Sequence, residues 1–155
     1  MVLWGQSIGA GVATGVLMQN FASTNVAGMT PVEVCGVILE TPFVSVRSML
    51  TALYPQKWLP YRYLWPFLRN WWDSEAALRA IGASCSGKSI PMLIISAAKD
   101  EVVPSTQADR LEKLGVDLGL NMSRLNIPGA LHTEATARPE GREAVVRFLR
   151  EVSEN

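Results

Sequence analysis

The chain has 155 residues, 48% of them hydrophobic and 18% charged, which suits one globular domain with an ordinary core. Its 14 basic side chains balance 14 acidic ones, so no net charge marks it for nucleic acid. Cys35 lies in an apolar run and Cys85 in a polar stretch; they make neither a disulfide framework nor a metal-ligand spacing, and they fit a reducing compartment. No apolar run reaches the length of a membrane span. The N-terminal region lacks the basic start of a signal peptide, its first Lys or Arg being Arg47. The expected setting is cytoplasmic or peripheral to a membrane, with no cofactor and no metal.

Val2, Leu3 and Trp4 read as a short strand that runs into Gly5-Gln6-Ser7-Ile8-Gly9. Beyond it Ala10–Met18 is continuously apolar, with no proline before Pro31, and predicts a helix buried on most sides. Gly9, Gly11, Ala13 and Gly15 would let that helix lie close to a sheet. Gly-x-Ser-x-Gly is a weak pattern by itself, but strand, sharp turn and helix are the setting that a nucleophilic serine requires. There the turn is too tight for bulky neighbours and lifts the hydroxyl clear of the sheet's end. The competing reading is a glycine-rich turn whose serine merely caps the helix.

Val34–Glu40 follows as a buried strand, closed by Thr41-Pro42. The stretch from Phe43 to Gly87 breaks the alternation. It holds Tyr54, Trp58, Tyr61, Tyr63, Trp65, Phe67, Trp71 and Trp72, interleaved with Lys57, Arg62 and Arg69. Such a mixture lines an acyl-chain pocket, sits at a membrane surface, or packs on itself as an irregular helical subdomain. Pro91–Ser96 is a second buried strand and Ser123–Ile127 a weaker third. Thr106–Leu114 presents Ala108, Leu111 and Leu114 on one helical face, and Pro139–Val152 aligns Val145, Phe148, Leu149 and Val152. The fold class is therefore α/β, a parallel sheet with helices on both faces, whose chemistry lies on loops at the strands' C-terminal ends.

Three residues meet that rule. Ser7 follows Val2–Trp4, Asp100 in "KDEVVP" follows Pro91–Ser96, and His132, the chain's one histidine, in "GALHTEA" follows Ser123–Ile127. Serine, acid and base stand in the chain order of an α/β hydrolase. A serine hydroxyl needs an imidazole to take its proton, and the imidazole needs a carboxylate to hold its tautomer. Glu101 is the nearest rival as the acid; Asp73, in an aromatic helical region, is a poor one. Gln6 and Thr41 read as structural neighbours.

On "GQSIGAG", "LETPFVSV", "KDEVVP" and "GALHTEA" the chain resembles the C-terminal part of an α/β hydrolase. More narrowly it resembles the fungal bud-emergence-type, ABHD-like hydrolases, which are grouped with serine aminopeptidase-like proteins. The resemblance puts the nucleophile on Ser7, the acid on Asp100 and the base on His132, with the Ile8 N–H donating to the oxyanion. It also makes the insertion at about 43–87 a cap over the site within a single domain of residues 1–155. The resemblance implies further strands and a second oxyanion donor ahead of Met1, and hence a truncated hydrolase. The expected activity is serine hydrolysis of ester or thioester bonds in a small-molecule or lipid acyl substrate, weak or absent in this chain. The alternative is a non-catalytic remnant that serves as a binding module.

Overall fold

The computed structural model describes residues 1–23, 28, 30–53, 71–84 and 90–154. In chain order these form β1 (Val2–Gln6), α1 (Ile8–Ser23), β2 (Gly36–Glu40), α2 (Val46–Leu53), α3 (Ser74–Ser84), β3 (Met92–Ala97), α4 (Ser105–Asp117), β4 (Met122–Ile127) and α5 (Pro139–Ser153). The described strands make one parallel sheet in the order β1-β2-β3-β4. β2 and β3 are buried along their whole length, as central parallel strands must be when helices cover both faces.

Strand alternation sorts the core into two layers. Val37, Leu39, Met92 and Ile94 turn towards α1, α3 and α4, where they meet Ala10, Leu17, Leu78, Ile81 and Leu111. Ile38, Leu93, Ile95 and Ile127 turn the other way and pack on Ala144, Val145, Phe148 and Val152 of α5. The parallel sheet covered on both faces is thus present. Leu149, expected on the same stripe of α5, instead lies 38% exposed at its flank, because the sheet reaches only the face centred on Val145, Phe148 and Val152.

The first helix also differs from expectation. α1 buries Ala10, Gly11, Ala13, Thr14 and Leu17 against the sheet and α3, while Val16 stays 45% exposed on the face that neither covers. At 43–87 only the flanks of the expected cap are described, and they join the core. Phe43, Val44, Leu78 and Ile81 are buried, and a Cβ on Gly11 would come within 2.9 Å of the Trp72 Cβ. Tyr54, Trp58, Tyr61, Tyr63, Trp65, Phe67 and Cys85 lie outside the described residues. Among the described residues no helix is long and apolar enough to cross a membrane, and no group of three or more His, Cys, Asp or Glu could hold a metal ion.

Candidate active site

β1 ends at Gln6 and α1 begins at Ile8, so Ser7 alone makes the turn. It does so at φ 52°, in the left-handed region that costs a residue with a Cβ on the order of 1–3 kcal/mol. Gly5 makes the turn sterically feasible: a Cβ there would stand 2.0 Å from the Gly9 carbonyl oxygen. Gly9 is not under the same constraint, since a Cβ on it would meet nothing within 4 Å. The expectation that crowding demands both glycines therefore holds for Gly5 only. The Ser7 amide donates to the Glu40 carbonyl at 2.9 Å, and the Ser7 carbonyl accepts from the Ala10 amide at 3.0 Å. A capping serine has extended backbone and bonds through its hydroxyl; Ser7 has neither feature among the described residues. Ile8 N–H is the first amide of α1, one of the four that an α-helix leaves without an intrahelical acceptor. The Ile8 side chain is 57% exposed.

At the ends of β3 and β4, Asp100 and His132 are in contact. His132 Nδ1 lies 2.9 Å from Asp100 Oδ2 and 3.0 Å from Oδ1, and both side chains are nine-tenths buried or more. Asp100 Oδ1 also accepts from the Val102 and Val103 amides at 2.9 and 2.7 Å, which orients the carboxylate. A carboxylate can only accept, so the contact calls for Nδ1–H as the donor, and in a neutral imidazole with that tautomer Nε2 is the acceptor.

Glu101, the rival acid, does a different job: its Oε2 accepts from the His132 backbone amide at 3.1 Å. Asp73 is occupied at the start of α3, where its Oδ1 accepts from the Ala76 amide at 2.9 Å. Gln6 is exposed at the end of β1. Thr41 is buried at φ 42°, its amide donates to the Ile95 carbonyl at 2.7 Å, and its hydroxyl has no partner among the described residues.

Ser7 and His132 stand on loops from opposite edges of the described sheet, and no hydrogen bond joins them among the described residues. The turn that carries His132 nevertheless reaches back across the sheet's end. Lys99 N–H donates to the Ala130 carbonyl at 2.9 Å, and Thr136 donates through its amide and its hydroxyl to Glu40 Oε1 at 3.0 and 2.7 Å. Catalytic hydrogen bonds are often long without substrate and tighten when it binds. Sequence reading passed over Glu40 and Thr136; the one available signal was a charged residue ending a strand otherwise wholly apolar.

No protein-family model matches the chain. It is 27% identical over 153 residues to the uncharacterized protein Rv2307c of Mycobacterium tuberculosis, covering 97% of this chain and 44% of that protein. It is 29% identical over 107 residues to protein bem46 of Schizosaccharomyces pombe, covering 69% of this chain and 29% of that protein. The chain thus spans less than half the length of these curated relatives. Among solved structures it resembles an alpha-beta hydrolase from Vibrio vulnificus with a TM-score of 0.64 at 20% identity, over 95% of this chain and 47% of that one. Esterase PE8 gives 0.56 at 19% identity, over 97% and 49%. Acyl-protein thioesterase 2 of Zea mays gives 0.57 at 14% identity, over 96% and 54%. With its parallel sheet order, its helices on both faces and these likenesses, the chain has the α/β-hydrolase fold.

Proposed function

We propose that this chain carries the catalytic residues of a serine hydrolase that cleaves ester or thioester bonds through an acyl-enzyme. The observation that carries the reading is the buried His132–Asp100 pair at the same end of the sheet as the strained Ser7 turn. Ser7 Oγ attacks the acyl carbon while His132 Nε2 takes its proton. Asp100 accepts from Nδ1–H and stabilises the imidazolium that forms. The Ile8 N–H, at the positive end of α1, faces the oxyanion. Collapse expels the alcohol or thiol, which His132 protonates, and water then repeats the sequence on the acyl-enzyme. The names of the structural relatives, an esterase and a thioesterase, agree with this class of bond.

The acyl group, in a small molecule or a lipid, is proposed to meet the aromatic stretch between Phe43 and Gly87, which is also the proposed cap and the source of any peripheral membrane contact. For this chain alone we propose weak activity. Among the described strands β1 is paired only by β2, so the Ser7 turn is braced from one side. The test is labelling by a fluorophosphonate probe together with turnover of a p-nitrophenyl ester. Labelling that survives Ser7→Ala counts against the nucleophile. A Ser7-dependent turnover by the purified chain at ordinary esterase rates counts against weak activity. A folded chain that neither labels nor turns over is the outcome for a non-catalytic binding module.

A further inference from the structure

Glu40 is a carboxylate where strand alternation calls for an apolar side chain. It follows Ile38 by two residues and so turns to the α5 face, and it is 3% exposed. Burying a carboxylate there is costly unless hydrogen bonds compensate it. Both partners of its Oε1 come from one residue, Thr136, four positions after His132. Its main-chain oxygen accepts from the Ser7 amide. One residue thus touches the Ser7 turn through its backbone and the His132 turn through its side chain.

Topology explains the need for such a tie. β1 and β4 are three strand spacings apart, about 14 Å at about 4.8 Å each. To serve Ser7, His132 must be carried from β4 over β3 towards β1. The near end of that crossing is held by Lys99 N–H on the Ala130 carbonyl and by Glu101 on the His132 amide. The far end is held at Thr136 by Glu40. Backbone packing leaves this end no slack, since a Cβ on Gly141 of α5 would fall 2.0 Å from the Ala135 carbonyl oxygen.

We infer that Glu40 is a positioning residue, its buried carboxylate fixing the 131–137 turn, and with it the His132 imidazole, relative to Ser7. The inference rests on the serine-hydrolase reading for its catalytic consequence but not for its geometry. The test uses the full chain and its one histidine, whose imidazole gives a single set of NMR signals. Glu40→Leu removes both bonds, Thr136→Val removes the hydroxyl donor while keeping the branched shape, and Glu40→Gln keeps an acceptor oxygen. The expected result is that Glu40→Leu and Thr136→Val shift and broaden the His132 signals, while Glu40→Gln largely restores them. In the same variants kcat for an ester, or the rate of probe labelling, falls by up to about 10²-fold with KM little changed, the scale of a displacement of about 1 Å. Unaltered His132 signals in folded Thr136→Val and Glu40→Leu overturn the inference. If Glu40→Leu does not fold, Thr136→Val decides alone. A wild-type chain with neither labelling nor turnover sinks the hydrolase reading, and the NMR comparison still decides whether Glu40 holds His132.

Discussion

His132 is gripped by two adjacent carboxylates in different ways: Asp100 holds its ring at Nδ1, at 2.9 and 3.0 Å, and Glu101 holds its backbone amide at 3.1 Å. The division follows from the turn after β3. Asp100 folds back onto the Val102 and Val103 amides and points its carboxylate inwards, which leaves Glu101 to reach the main chain of the neighbouring turn.

That division predicts unequal mutants. Asp100→Asn presents an amide to Nδ1, favours the wrong tautomer and should lower kcat by about 10⁴-fold. Glu101→Gln still offers an oxygen to the His132 amide. A neutral acceptor in place of a charged one is worth about 1 kcal/mol, so the loss should stay below about tenfold. Steady-state kinetics on both variants decide it, and the reverse ranking would mean that Glu101 is the working acid.

Ser7→Ala should abolish fluorophosphonate labelling, and His132→Ala should slow it by about 10⁴-fold, since the chain contains no other imidazole. Intact-mass spectrometry of the labelled protein reads both. Adduct on another serine, or unchanged kinetics in His132→Ala, removes the proposed pair.

The two glycines of the turn should behave oppositely. Gly5→Ala drives a methyl into the Gly9 carbonyl and should cost about 3 kcal/mol. Gly9→Ala, on the second residue of α1 with open space around it, should stabilise by about 0.4–1 kcal/mol through the unfolded chain's lost freedom. Thermal unfolding of the two variants checks this; equal destabilisation would mean that the turn needs both glycines.

Acid should loosen the His132 turn at Glu134. Its carboxyl is held below the ordinary value of 4.5, first by the hydrogen bond from Arg138 and then by the Leu131 amide. The unfolded group binds a proton more readily than the folded one, so its contribution is complete above pH 4.5. It fades as pH falls through the lowered folded value. The Glu134 side chain is half-buried at the surface, so the effect is local: protection of the Leu131 amide against hydrogen exchange should fall on acidification below pH 4.5. In Glu134→Gln that protection should not change with pH; if it falls there too, another group is responsible.

Much of this fold is local in origin and legible in the chain itself. Val34–Glu40, between Pro31 and Pro42, and Pro91–Ser96, opened by a proline, are apolar runs, and they became β2 and β3 because a strand covered on both faces needs no polar alternation. The α4 face of Ala108, Leu111 and Leu114 is buried as its spacing implies. Chain order placed Ser7, Asp100 and His132 after three parallel strands, and strand direction alone puts those loops at one end of the sheet. Periodicity could not tell which neighbour each polar group would find. Asp100 and Glu101 are adjacent carboxylates with the same local chemistry, and only the path of the 128–134 turn assigns one to the ring and the other to the backbone. Gly5 and Gly9 look equivalent in the motif, yet the contact that forbids a side chain at Gly5 exists only once α1 has folded back over β1. Glu40 reads as the polar end of a strand until Thr136, 96 residues away, supplies the two donors that make its burial tolerable. Hydrogen-bond partners at such separation are set by how the layers pack, and that information is spread over the whole chain.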